Sequence, residues 1–547
     1  MGTHSNPAMN PRPRIDGEHF DVAVIGGGVN GVAIARECAG AGRRTLLVEQ
    51  NDFAAGTTSR STRIIHGGLR YLEHGDLAQV RESLREREYL LRRYPCLVHP
   101  LEFLLALPER SRRSALAVRA GLWLYRRMGG QGVANGASQL HCLEETLDSG
   151  GHFSVFSFED AQCEFPERLV AEWMVEAAGA GCVVRNHTRV LTVEAGLGRI
   201  TGLRLRDEII GAEETVGAKW IINAAGPWAD HICQQSNIRT EHPMVGGVRG
   251  SHVVLPKFPG APEAAVYSEA VDGRPFFVIP WNEQLLVGTT EVGDTGDPGK
   301  AEPSAAEVEY LLCSVQGLYP RARVSVGDVR YAFAGVRPLP YAPGANLAGL
   351  SRRHSLHDHS AEGAAGMISV IGGKLTTAAS LARECAAKIG TKVPSLQIAV
   401  ADGNRVDELL ERKIAEVAEA GGLGQESTRG LVEWFGESSM AIASAARNRP
   451  ELRVPLCPHT NHVVAEAVHA MANEYAVTLG DVLLRRVPVA LGACWAPECD
   501  RVASQGIAAA LGWDEHQSAS AREEFAAERE AFLRKPVTVS GKTLTSS

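Results

Sequence analysis

Apolar and polar positions alternate in three ways along this chain, and each way predicts a different kind of element. Val22–Ile25 is a short continuous apolar run, Arg44–Val48 reads as a second strand ending in one, and Gly31 to Ala41 between them reads as a helix. Runs of this kind predict strands buried on both faces of a parallel sheet, with the helix as their crossover. Lys219–Asn223 and Met367–Ile371 repeat the signature, each strand breaking at a glycine turn. Between Glu241 and Leu339 the text turns to β, with runs at His252–Leu255, Phe276–Ile279 and Leu285–Gly288 separated by Pro, Gly and Asp turns. Leu77, Val80, Leu84 and Leu91 share a helical face, and Glu164 to Ala180 reads as another helix. From about Ala401 the spacing is helical: Val406, Leu410, Ile414 and Val417 lie on one face, as do Val464, Val468, Met471 and Tyr475. Ser518 to Leu533 reads as the last helix, and no internal repeat is found.

The first strand runs into Gly26, Gly28 and Gly31, the G-x-G-x-x-G spacing. With a strand before it, a helix after it and an acid, Glu49, closing the second strand, the spacing predicts a dinucleotide site. The helix N-terminus would receive the pyrophosphate, and Glu49 the adenosine ribose. Asp52 to Glu73 follows, too dense in Gly, Ser, Thr and Arg to read as core, and suited to a pyrophosphate or flavin edge. Pro108 to Met128 sets Arg110, Arg112, Arg113, Arg119, Arg126 and Arg127 around Leu116, Val118, Leu122, Trp123, Leu124 and Tyr125. Such a stretch either lies in a membrane interface or packs on its own protein with the arginines in water.

At 547 residues the chain is long enough for two or three cores. Its net charge of −8 argues against nucleic acid as the main partner. Eleven cysteines stand singly, without a C-x-x-C pair or zinc-like spacing, so reduced core thiols and no metal are expected. No apolar run is long enough to span a membrane, and Met1 to Gly17, polar and Pro-rich, reads as a disordered tail.

Together these stretches resemble the FAD-dependent glycerol-3-phosphate dehydrogenase family of the aerobic, membrane-associated kind. The resemblance runs through Gly26–Gly31, Ile65–Glu73, Asn223–Trp228, Gly250–His252, Pro280–Trp281, Gly288–Thr290, Gly335–Leu339 and Gly372–Thr377. It departs at Arg63, where the family has Lys, and at Arg352-Arg353-His354, which leaves open which arginine points inward. The implied fold is α/β (α+β overall). A Rossmann-like FAD-binding domain (19–100, 151–240 and 345–398) joins an antiparallel-sheet substrate domain (101–150 and 241–344) and an all-helical C-terminal domain (399–537). Tails flank these at 1–18 and 538–547. The implied reaction takes sn-glycerol 3-phosphate to dihydroxyacetone phosphate by hydride transfer to FAD, with electrons leaving to membrane quinone. That places the chain in the cytoplasm, peripherally bound at the inner face of the cell membrane on anionic lipid, with a homodimer as one assembly open to it.

The resemblance also implies roles. FAD would meet Gly26, Gly28, Asn30, Gly31, Glu49, Thr57, Thr58, Ser61, Ala225, Gly226, Trp228, Gly372, Gly373 and Thr376. A dianionic phosphate favours forked cations, so Arg70, Arg337 and Arg352 are expected around the substrate with Lys374 and Tyr71. For the hydroxyl proton, His252 opens a strand and His66 precedes Gly67-Gly68. His252 is the expected base, titrating near the ordinary histidine range of about 6.5. Two other enzyme readings keep the fold: a soluble oxidase using oxygen, which lacks its usual inserted segment here, and an amine or amino-acid oxidase, which binds a carboxylate rather than phosphate. A flavin-bound scaffold without turnover is the non-enzymatic reading.

Overall fold

The computed structural model describes residues 12–111, 113–129, 143, 146–147, 152–344, 353–392 and 403–536. The apolar runs near the start form a sheet built on β1 (His19–Ile25), β2 (Thr45–Val48), β6 (Val183–Arg185), β9 (Glu213–Asn223) and β17 (Met367–Ile371), all parallel, in the order β17-β9-β1-β2-β6. The edge strand β16 (Ser355–Asp358) pairs antiparallel to β17, and β7 (Thr188–Gly196) with β8 (Arg199–Asp207) extends from β9. Helix α1 (Val29–Gly40) is the crossover from β1 to β2, as the apolar pattern requires.

The second sheet is mostly antiparallel: β3 (Ile64–Ile65), β4 (Val98–Leu107), β5 (Ser154–Cys163), β10 (Val245–Pro256), β11 (Ala265–Glu269), β12 (Pro275–Trp281), β13 (Gln284–Gly288), β14 (Val292–Gly293) and β15 (Tyr331–Pro340). The pairing carries Ser154–Cys163 into this sheet beside β4, so that part of the 151–240 segment joins the second layer. The longest pairing is β10 with β15, which sets His252 opposite Phe333, Gly250 opposite Gly335 and Val248 opposite Arg337.

Helices α2 (Leu77–Arg93), α3 (Ala115–Arg127), α4 (Pro166–Gly179), α5 (Ala305–Leu318) and α6 (Ala378–Lys388) pack around the two sheets. The region after residue 402 is helical: α7 (Gly403–Gly421), α8 (Gln425–Phe435), α9 (Ser439–Asn448), α10 (Val464–Asn473), α11 (Pro497–Leu511) and α12 (Glu515–Phe532). No helix among the described residues is long and apolar enough to cross a membrane.

The Asp52–Glu73 loop departs from its reading as non-core text. Asp52, Phe53, Ala54, Ser59, Arg63, Ile64 and Ile65 are buried. The C-terminal helices supply the partners that make this tolerable. Asp52 accepts from Arg485 Nε at 2.5 Å, from both Arg486 Nη atoms at 2.7 and 2.8 Å, and from Asn186 at 3.0 Å. Arg63 places its fork on Glu167, with both bonds at 2.9 Å and neither side chain exposed. A second cross-link runs from α4 to the turn after α10, where Arg168 forks onto Glu474 at 2.6 and 2.7 Å.

Breaking a buried pair leaves one charge without its counter-ion and typically costs about 3–5 kcal/mol, whereas replacing both partners by apolar groups is far milder. Glu474→Gln is therefore expected to lower the urea or thermal midpoint strongly, and Arg168→Met with Glu474→Leu much less. Burial raises the Glu474 carboxyl, but Arg168 outweighs it and holds the group below its usual range. Its contribution is thus complete above the unfolded carboxylate pKa and fades as pH falls through the lower folded value. The gap between wild type and Glu474→Gln should narrow on acidification. A gap of constant size down to the acid limit contradicts the pairing argument.

Candidate active site

Two glycine turns and the buried loop converge beyond the carboxyl ends of β1, β9 and β17, the position where open parallel sheets bind ligands. They wall a cavity of about 1170 Å³. The first turn leaves β1 at Gly26 and enters α1 through Gly28. Gly31 packs so closely that any Cβ would overlap the Gly26 carbonyl, so the helix can sit against the turn only with glycine there. Glu49 fixes the turn: its Oε2 accepts from the Gly27 N–H at 2.6 Å and its Oε1 from the Asn51 N–H at 2.9 Å. Burial raises the Glu49 carboxyl, and these two N–H groups oppose the shift.

The second turn, Gly372-Gly373, leaves β17 with φ of +78° and +99°. A Cβ at Gly373 would strike the Asn30 amide, whose Nδ2 donates to the Gly372 carbonyl at 3.2 Å. Thr58 Oγ1 accepts from the Val29 N–H at 3.1 Å, and Thr57 Oγ1 donates to the Val336 carbonyl at 2.8 Å, tying the loop to α1 and to β15. Ala225, Gly226 and Trp228 close the wall after β9, and Ser61 lies on the loop side. Arg60, also on this wall, lays its guanidinium over the Phe532 ring at 4.7 Å, and burial lowers its pKa to about 10.

The residues fit an extended dinucleotide. No side chain of the Gly28 cap occupies the start of α1, where anions bind, and Asn30 Oδ1 is buried without a hydrogen-bond partner among the described residues. The cavity exceeds the roughly 300–1,000 Å³ of ordinary small-molecule pockets, leaving room for a second small ligand.

That second ligand's end carries the remaining expected residues. Arg337 donates from Nη2 to Thr289 Oγ1 at 2.8 Å, and its Nη1 lies 3.8 Å from Glu291. Lys374 Nζ sits 3.9 Å from the centre of the Tyr71 ring. The His66 N–H donates to Thr376 Oγ1 at 3.2 Å, and its ring tilts against Tyr71 at 6.3 Å. Arg337, Thr289, Lys374, Tyr71, His66 and Thr376 line the same cavity, as does His252. Gly31 supports the turn from behind. Arg352 and the side chain of Arg70 lie outside the described residues; Arg353 is exposed.

His252 differs from its expectation in two respects: it lies inside β10, seven residues after the strand begins at Val245, rather than opening a strand, and it does not titrate where expected. It is 1% exposed, stacks on Phe333 at 5.1 Å, and shares a 3.0 Å hydrogen bond between Nε2 and Thr62 Oγ1. Burial, then Arg337, then Arg63 push its pKa down to about 3, so the expected titration near 6.5 does not belong to it. Thr62, Thr289, Phe333 and Arg60 were not singled out from sequence. Thr62 and Arg60 stand within the polar loop; Phe333 and Thr289 acquire their places only through strand pairing. Thr188, Val190, His231 and Gln235 also line the cavity, as do Ala117, Val118 and Gly121 of α3 with Phe103, Leu105, Tyr267 and Phe277.

Residues 21–379 match the family described as FAD dependent oxidoreductase, and residues 369–518 match the C-terminal domain of alpha-glycerophosphate oxidase. The chain is 36% identical over 506 residues to a glycerol-3-phosphate dehydrogenase of Synechocystis sp., covering 88% of this chain and 91% of that one. It is 34% identical over 369 residues to D-erythritol 1-phosphate dehydrogenase of Brucella abortus, covering 67% and 72%. Among solved structures it is similar in fold to glycerol-3-phosphate dehydrogenase from Bacillus halodurans complexed with FAD, with a TM-score of 0.74 at 22% identity, covering 96% and 97% of the two chains.

The environment of His252 generates a direct test. In protein labelled at histidine, the His252 ring should keep its neutral NMR signature from pH 8 down to pH 5. One non-titrating signal should vanish in His252→Asn, while that of buried His359, whose pKa burial lowers to about 4, should remain. A His252 resonance that moves with an apparent pKa near 6.5 contradicts the burial argument.

Proposed function

We propose that this chain, which belongs to the FAD-dependent glycerol-3-phosphate dehydrogenase family and carries FAD as its cofactor, oxidises sn-glycerol 3-phosphate to dihydroxyacetone phosphate and passes the electrons to membrane quinone. The observation that carries this reading is the union, in one cavity, of the two glycine turns with an end that holds Arg337, Lys374 and His252. When bound, FAD supplies the acceptor for the hydride from substrate C2.

The chain's own residues do the rest. Arg337 offers a planar fork and Lys374 a point charge to the phosphate, and Thr289 orients the fork. The Tyr71 ring, 3.9 Å from Nζ, positions the Lys374 side chain. His252 is kept neutral and accepts the hydroxyl proton; so weak a base takes it only as the C2–H bond breaks and the hydroxyl turns acidic. His66, on the same cavity, is the alternative acceptor. Gly26, Gly28, Asn30, Glu49 and Thr58 hold the ADP half of the cofactor, and Gly372, Gly373 and Thr376 the flavin side.

The membrane part of the reading rests on α3. Leu122 and Tyr125 are buried and fix the helix to its own protein, so the segment packs as well as projects. Leu116 and Trp123 are 76% and 64% exposed, beside exposed Arg119, Arg126 and Arg127. Apolar anchors amid cations suit an anionic lipid interface. The same helix walls the cavity through Ala117, Val118 and Gly121, which brings a membrane-borne acceptor close to the cofactor.

Anaerobic bleaching of the FAD-loaded protein tests the substrate. Glycerol 3-phosphate should bleach it, and a four-carbon polyol phosphate should do so more slowly. Arg337→Lys should raise the KM for glycerol 3-phosphate at least about tenfold, since charge is retained and the fork is lost. An unchanged KM removes Arg337 from the phosphate site, and no bleaching removes the substrate assignment.

Flotation with vesicles tests the docking. Binding should require anionic lipid and fall with salt, at on the order of 1 kcal/mol per basic residue near the surface. Leu116→Ser with Trp123→Ser should weaken it at every salt concentration. Equal recovery of wild type and this variant contradicts docking through α3.

A further inference from the structure

Three cysteines and one histidine of the C-terminal region meet at one point. Cys457 and His459 lie in the loop before α10, Cys494 precedes α11, and Cys499 sits in its first turn. One ligand atom from each lies within 4.8 Å of every other. Cys457 Sγ is 3.7 Å from Cys494 Sγ, and Cys499 Sγ is 3.8 Å from His459 Nδ1. A tetrahedral zinc with Zn–S bonds of about 2.3 Å and a Zn–N bond of about 2.0 Å sets its sulfurs about 3.8 Å apart and sulfur from nitrogen about 3.5 Å apart. The Cys457–Cys494 separation matches a sulfur–sulfur edge, the Cys499–His459 separation is slightly longer than a sulfur–nitrogen edge, and every other pair lies within 4.8 Å.

We propose that Cys457, His459, Cys494 and Cys499 form a structural Zn²⁺ site. Four protein donors complete a tetrahedron and leave no position for water or substrate, the pattern of a structural rather than a catalytic centre. Binding exchanges three thiol protons, released to solvent, for three Zn–S bonds and one bond to neutral imidazole; no electron moves. An iron–sulfur cluster spreads its cysteines over several irons, whereas these donors converge on a single point. A Cys457–Cys494 disulfide would need its sulfurs about 2.05 Å apart and would leave His459 and Cys499 without a role. The His459 N–H also donates to Cys457 Sγ at 3.3 Å, the kind of support that holds a ligating thiolate in place.

The spacing, C-x-H and then C-x₄-C far downstream, is not a familiar zinc signature, so the sequence alone does not point to a metal. The fold makes the site. A bridge between Pro455 and Val463 folds Cys457 and His459 into a tight loop, and α10 packs against α11 to bring the two halves together. Cys457 and Cys499 are fully buried, while His459 is exposed and gives the ion a way in.

The site would staple the C-terminal helices to the second sheet. Just before Cys494, the Leu491 carbonyl accepts from Tyr331 Oη at 2.7 Å and from Gln284 Nε2 at 3.2 Å, and the Ala493 carbonyl accepts from Arg330. Tyr331 begins the strand that carries Phe333 and Arg337.

Elemental analysis of the FAD-loaded protein, purified without a histidine tag or chelator, should find about one zinc per chain. After removal of zinc with a mercurial and reducing agent, added Co²⁺ should give the intense red-region bands of tetrahedral thiolate cobalt, beyond the flavin absorption. Cys457→Ser with Cys499→Ser should lose the metal, and Cys385→Ser, a buried thiol elsewhere, should keep it. Zinc removal should lower the thermal midpoint of the C-terminal region. If the double variant does not fold, wild-type stoichiometry and the cobalt spectrum still decide. Wild-type protein without zinc after growth in zinc-supplemented medium, a Cys457–Cys494 disulfide by mass spectrometry, or full zinc retention in the double variant overturns the proposal.

Discussion

The Asp52 carboxylate is the constraint on which the rest of this molecule turns. It stands in the loop that shapes the cavity, yet most of its partners, Arg485 and Arg486, come from the far end of the chain. Asp481, which accepts from Arg485, also takes a hydrogen bond from the imidazole of His187, beside β7. Burying such charges is costly, and the cost is recovered only when every partner is present. The loop can hold its buried path only after the C-terminal helices have docked. The helical region is therefore a structural condition of the cofactor wall.

The same logic explains how a cation-rich end stays neutral enough to fold. Arg63 is paired with Glu167 and lies over the face of Trp281 at 4.4 Å, so most of its charge is compensated, although it lines the cavity and still bears on His252. Arg337, on the same cavity, donates to the Thr289 hydroxyl and lies 3.8 Å from the Glu291 carboxylate. His252, stacked on Phe333 at the cavity wall, is kept neutral first by burial and then by Arg337 and Arg63.

Much of this was legible in the sequence. Continuous apolar runs gave β1, β2, β9 and β17, because a strand buried on both faces has no other pattern, and the glycine spacing gave the turn and the crossover helix. Most of the candidate site residues meet in one cavity because they sit at strand ends and turns, where local text and function coincide. What escaped the sequence depends on contacts between distant segments. The Asp52–Glu73 loop read as too polar for core because the partners that neutralise it lie hundreds of residues away. Phe333 reads as one more apolar strand position until β10 and β15 are paired. The pKa of His252 is a property of enclosure, invisible in residue type.

One strand ties these features together. Along β15, Phe333, Gly335 and Arg337 point to one side by simple alternation and face His252, Gly250 and Val248. The Val336 carbonyl holds the cofactor loop, and Ala332 bridges to Arg534 after the last helix. A slip of one residue would turn every one of these groups to the wrong face at once. Side chains at these rungs can be exchanged in place, whereas inserting or deleting one residue within β15 would displace the whole set. The strand acts as a ruler whose marks can be relabelled but whose spacing cannot drift.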